Sequence, residues 1–254
     1  MSLKKWPKPY FEKIVFELRY AGGHRYLDRC GDTLIEIEER LPDWVPQEIN
    51  PSRGSLVNLA KNIVFNFNSY KLDAGQDDPK GTEDFRQQTA LITDLVCKSL
   101  SVSRFIRIGV RFYFLFPAES MESAEEMVRR SRFVDISPKV LDACGANVRA
   151  QKHVFIFEAE NEGRRIEIGA VRREEGRLAP QLLSVEPRLL PKGQREALLR
   201  KLQETKRYGE DPRFALQIDV DNYELEPESF NVGAFIERHE EFARDKILEL
   251  VRRA

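Results

Sequence analysis

The chain has 254 residues, 41 Lys and Arg against 42 Asp and Glu, and a hydrophobic share of 41%. That length suits one large domain or two small ones, and that composition can bury a real core, which excludes a disordered segment. The net charge of −1 removes any bulk electrostatic case for nucleic acid or an anionic membrane.

The start, MSLKKWPKPYFEK, has no apolar core of signal-peptide length, and no apolar run approaches the ~18 residues a spanning helix needs. Three cysteines, Cys30, Cys97 and Cys144, stand far apart among apolar residues. Neither a disulfide framework nor a zinc site is expected, and a reducing cytoplasm is the expected location.

Tyr10–Tyr20 alternates with period two. Ile14, Phe16, Leu18 and Tyr20 fall on one face, and Lys13, Val15, Glu17 and Arg19 on the other, which predicts a strand. Gly22-Gly23 ends it. Leu27, Cys30, Leu34, Ile37 and Leu41 then recur at helical steps as far as Pro42. Residues 43–53 read as a loop. Ser55–Ala60 and Ile63–Leu72 read as short strands, and Asp73–Gly81 as a polar break. Thr82 is a candidate N-cap for a helix burying Phe85, Ile92, Leu95 and Val96.

The stretch FIRIGVRFYFLF, Phe105–Phe116, is a long strand by alternation. Its even positions are all apolar, and its odd positions carry Arg107, Gly109, Arg111 and Tyr113. Pro117 is expected to end it. A helix over Ser120–Phe133 and a short helical turn over Pro138–Cys144 follow. Next come meander strands over Asn147–Glu160, Arg164–Arg173 and Arg177–Glu186, with hairpin signals at Asn161-Glu162-Gly163 and Glu174-Glu175-Gly176. Then come a polar helix over Lys192–Arg207, a strand over Phe214–Tyr223 and a last helix over about Ser229–Arg253.

Strands gathered into hairpins predict an α+β fold, a curved and mainly antiparallel sheet wrapped around amphipathic helices. Residues 1–101 and 102–254 can each be written strand–helix–strands–helix, so two similar halves sharing one sheet are expected. The two long strands are then natural neighbours, with Glu17 and Arg19 beside Arg107 and Arg111.

No nucleophile elbow, P-loop or dinucleotide fingerprint occurs. Asp219-Val-Asp221 places two carboxylates on one strand face, but without a calcium loop or paired histidine it reads as a solvated strand end. Asn66, Asn68 and Tyr70 are expected to share a strand face. His239 falls between Phe235 and Phe242 on the last helix and reads as a core histidine bonded to a strand group. His24 lies in a Gly-Gly turn and is expected to be exposed. No catalytic residue, metal or cofactor is expected. The candidate binding residues are Glu17, Arg107, Arg111, Tyr113, Asp219 and His239.

FEKIVFELRY near the start, RIGVRF near the middle, and LQIDVDNYE before a helix carrying His239 and Phe242 follow one another in a set order. Together they resemble a sporadically distributed family of uncharacterised prokaryotic proteins of about this length. The resemblance spans nearly the whole chain and sets Glu17, Arg107, Gly109, Arg111, Asp219 and His239 at family-like positions. Where a polar residue is expected after the second arginine, Phe114 stands instead. The patchy distribution implies an accessory role in a prokaryotic antiviral defence system.

Three functions follow as expectations. The first is non-enzymatic binding or scaffolding of a protein partner. The second is a small-molecule pocket on which Arg107, Arg111 and His239 converge. The third is nucleic-acid binding on the sheet face through Arg164, Arg165, Arg172 and Arg173 with Tyr113 or Tyr223, which the neutral charge disfavours.

Overall fold

In the computed structural model the described residues are 6–131, 151–172 and 213–249, with isolated positions between them. They form an α+β fold with one curved antiparallel sheet. In chain order the elements are β1 (Tyr10–Ala21), α1 (Tyr26–Arg40), β2 (Val45–Asn50), β3 (Arg53–Asn58), β4 (Ile63–Phe67), β5 (Lys71–Asp77), α2 (Glu83–Leu100), β6 (Arg104–Ala118), α3 (Met121–Arg130), β7 (Lys152–Ala159), β8 (Glu162–Arg172), β9 (Phe214–Leu225) and α4 (Val232–Glu241). A π-turn over Phe242–Ile247 extends α4.

The strand order is β2-β3-β4-β5-β1-β6-β9-β8-β7. Residues 1–101 thus supply the run β2-β3-β4-β5-β1, and the rest supply β6-β9-β8-β7. The runs meet at the central β1–β6 pair, where Glu17 lies opposite Gly109, Val15 opposite Arg111 and Arg19 opposite Arg107.

Period-two alternation decides which face is covered. Ile14, Phe16 and Leu18 of β1, Ile108, Val110, Phe112 and Phe114 of β6, and Leu216, Ile218 and Val220 of β9 are all buried in one core. That core also takes Leu34 and Ile37 of α1, Ile92 and Val96 of α2, Val128 of α3, and Phe235 and Ile236 of α4. All four described helices therefore pack on the same side of the sheet. Burying one side chain such as Phe112, which is fully covered, contributes about 2–3 kcal/mol.

Several expectations change. Residues 45–50 are a strand, not a loop. Pro46 is tolerated because β2 is an edge, where a missing N–H can face away from the ladder. The run Ile63–Leu72 breaks after Phe67, and residues 73–77 of the expected break Asp73–Gly81 belong with Lys71 and Leu72 to β5. Asn66, Asn68 and Tyr70 therefore do not share a strand face. Asn66 donates to Asp73 at 2.8 Å, while Asn68 Oδ1 accepts from the amides of Tyr70 and Lys71 in the turn. In α1, Tyr26 takes the buried place expected of Leu27, which is 69% exposed. Thr82 stands at the N-cap position of α2 as expected, but its side chain makes no capping bond: its hydroxyl donates to Glu240 near α4's end instead. Pro117 does not end β6, which pairs on to Ala118.

Apart from the isolated positions Ala143, Gly193, Arg195, Glu196 and Arg200, which are helical, Pro138–Cys144, Arg177–Glu186 and Lys192–Arg207 lie outside the described residues. No described helix is long and apolar enough to cross a membrane.

Candidate functional site: the helix-free sheet face

With the helices on one side, the odd-numbered face of β1, β6 and β9 has no described helix over it. Strand register sets its side chains in rows. One row runs Asp73, Glu17, Gly109, Tyr223, Gly163, Glu158. The next runs Val15, Arg111, Asp221, Arg165, Ile156. A third runs Lys13, Tyr113, Asp219, Glu167, Val154. Opposite charges meet both within and between rows, the arrangement that stabilises cross-strand pairs.

Two glycines shape the first row. Arg107 lies down over Gly109, where an added Cβ would sit 3.0 Å from its Nη1. From that seat Arg107 donates to Glu17 at 2.8 Å and reaches Asp221 at 3.3 Å. The Tyr223 ring lies over Gly163 so closely that a Cβ there would fall 2.1 Å from the ring. The Arg107 guanidinium stands 4.8 Å from the centre of that ring, in cation–π range. A large aromatic thus covers glycine backbone and props an arginine beside it.

The other rows are tied just as firmly. Arg111 donates through Nε to Asp219 at 2.7 Å and through Nη2 to the second carboxylate oxygen, a fork that fits a carboxylate in two places. Its guanidinium also lies 4.9 Å from the Tyr113 ring centre. Glu167 takes Lys152 at 2.5 Å and Arg165.

The titrations follow from these surroundings. The Asp219 hydrogen bond, outweighing burial, holds Arg111 above its ordinary value. Burial, with the Asp219 charge, pushes the Tyr113 phenol up to about 12. Burial raises Asp221; Arg107 and Arg111 oppose the rise, and the charges of Asp219 and Glu17 add to it. For Glu167, burial works upward but Lys152 and Arg165 bring the net shift down.

Of the six candidate residues, Glu17, Arg107, Arg111, Tyr113 and Asp219 gather on this face. His239 does not. It is buried on the helix side, edge-on to Phe235 at 4.5 Å. Its Nδ1 has no hydrogen-bond partner, so the expected strand bond is absent, and Arg238 lies 3.1 Å from Nε2. Burial, then Arg238 and Arg164, push its pKa down to about 3. The sheet separates it from Arg107 and Arg111, so those three do not converge. His24 is exposed.

Asp219 and Asp221 are not a solvated strand end. Asp219 is buried and both are ion-paired. Among the described residues no cluster of three or more metal-binding side chains exists. The four arginines of the nucleic-acid expectation also divide. Arg165 is on the helix-free face, Arg164 turns to the helix side over Phe242 at 4.4 Å, and Arg173 lies outside the described residues.

Residue reading from sequence missed Gly163 and Glu167 as members of the site, took Asp221 for part of a solvated strand end, and named Arg165 and Tyr223 only for nucleic-acid binding. Their signal was present: Asp219 with Asp221, and Arg165 with Glu167, stand two apart on strands and so share a face. No family model matches this chain, and no curated protein does.

Proposed function

We propose that this protein is a non-enzymatic binding module that docks a protein partner on the helix-free face of its sheet. The observation that carries the reading is the pair of glycine-seated side chains, Arg107 over Gly109 and Tyr223 over Gly163. Arginine and tyrosine are the side chains most often central to protein interfaces, and fixing their rotamers in advance lowers the entropy cost of association. Charges of both signs alternate across the face, so the fitting partner is a protein surface that also presents both signs, rather than a polyanion.

The chemistry of the rest supports a binding role. Cys97 is pushed up to about 12 by burial and Asp94, and buried His239 is held neutral, so neither is poised for catalysis at neutral pH. The defence-system setting that the family resemblance implies would place the partner among the products of adjacent genes. The two strand runs also support reading the halves as copies of one unit, since each begins with its central strand and ends with the strand beside it.

The test is photo-crosslinking from Tyr113, with Leu27 on the helix side as control, followed by titration of the purified partner. Crosslinking from Tyr113 alone, with affinity reduced by Tyr223→Ala and Arg107→Met, is the expected result. A partner bound equally by those variants, or crosslinked only from Leu27, overturns the reading.

A further inference from the structure

The two edges of the sheet are built differently. β2 carries Pro46, a bulge between Pro46 and Glu48, and the Glu48–Arg53 ion pair. Proline, bulges and charge are the devices that keep an edge from pairing with another chain. β7 has none of the first two. Its register with β8 is unbroken from Lys152 to Ala159, and among the described residues it has a sheet neighbour on one side only. Val154, Ile156 and Phe157 are 45%, 62% and 54% exposed. Three of the ten exposed large hydrophobic residues among those described thus fall within four positions of one edge strand.

The order of residues on that edge points to its occupant. Two copies of one strand that pair antiparallel about a two-fold axis must match residues on the same face. Because faces alternate, the axis has to pass through a residue, not between two. Set on Phe155, it places Lys152 opposite Glu158, His153 opposite Phe157, and Val154 opposite Ile156, each match occurring twice. Lys152, Val154, Ile156 and Glu158 all lie on the helix-free face, as their partners on β8 do. Moving the axis to Val154 or Ile156 sets Lys152 or Glu158 against an apolar side chain. The sequence KHVFIFE is thus a chemical palindrome about its central phenylalanine: opposite charges outermost, branched aliphatics within, aromatic rings between.

We propose that β7 is a self-pairing edge, and that the protein forms a two-fold dimer in which β7 joins β7 of a second copy about Phe155. The two nine-stranded sheets become one continuous sheet, with both helix-free faces on the same side. Lys152 also bonds Glu167 at 2.5 Å, and in the dimer it stands between that carboxylate and Glu158 of the other copy.

Sedimentation equilibrium over a concentration series tests this with charge reversal. Lys152→Glu sets two carboxylates opposite each other at both ends of the interface, and Glu158→Lys sets two amines there. Each single variant is expected to weaken the dimer by about tenfold or more. The double variant restores opposite charges and is expected to recover most of that loss. Ile156→Lys, at an exposed position, is expected to give a folded monomer whose melting temperature no longer rises with protein concentration as the wild type's does. A wild-type chain that stays monomeric, an assembly indifferent to Ile156→Lys, or single variants not rescued by the double one would overturn the proposal.

Discussion

Arg111 holds Asp219 diagonally across the β6–β9 ladder, and the two side chains are unequally covered: 36% of the arginine is exposed but only 4% of the aspartate. The inequality decides what each loss costs. Removing the arginine strands a buried carboxylate, whereas removing the carboxylate leaves an arginine that can turn to water. Arg111→Met is therefore expected to cost about 3 kcal/mol and Asp219→Asn about 1 kcal/mol. Urea unfolding of the two variants measures the difference, and equal losses would show that the pair is not arranged as described.

The glycine seats predict a rescue. A methyl group at 163 collides with the Tyr223 ring, so Gly163→Ala is expected to cost about 1–2 kcal/mol through forced displacement of that ring. With Tyr223→Ala as background, the same change should cost far less. A double-mutant cycle by thermal unfolding reads the coupling directly. Gly109→Ala meets only the tip of the Arg107 side chain and should be the milder substitution.

His239 makes stability depend on acid. Its folded pKa is about 3, below the ordinary imidazole value near 6.5. The unfolded chain therefore takes up a proton that the folded chain refuses. Stability is complete above about pH 6.5 and falls as pH drops toward about 3, by on the order of 5 kcal/mol from this group. His239→Phe should flatten that portion of a stability-against-pH curve. An unchanged slope would mean that Arg238, Arg164 and burial do not act on this ring as described.

Thiol chemistry is a simple check on the core. Cys30 is 6% exposed and burial raises its pKa, and Cys97 is pushed up to about 12. Both should resist a disulfide reagent at about pH 8 in the native protein and react once it is unfolded. Peptide mass mapping distinguishes them from Cys144. Rapid native labelling of Cys97 would contradict its place beneath the sheet.

The parts of the fold that were legible in sequence share one property, a strong contrast between faces. In β1 and β6 large aliphatic and aromatic residues alternate with charges, so one period gave the strand, its buried side and the Glu17–Arg107 neighbourhood. β2 and β5 lack that contrast. VPQEIN is an edge with little to bury, and KLDAGQD buries only Leu72, Ala74 and Gln76, so turn-forming residues dominated the reading. The site was half legible for the same reason. Arg107 and Arg111 stood out against apolar neighbours, whereas Tyr223, Gly163 and Glu167 acquire their meaning only from register with a strand distant in the chain.

The position of β9 carries a consequence for biosynthesis. It is the last of the described strands, yet it fits between β6 and β8, which have both left the ribosome well before it. The gap must stay open until Phe214–Leu225 emerges, with the apolar flank of β6 awaiting Leu216, Ile218 and Val220. A stalled or prematurely terminated nascent chain would therefore present two unzipped edges at once, and such a fragment is the form that chaperones and proteases would have most reason to recognise.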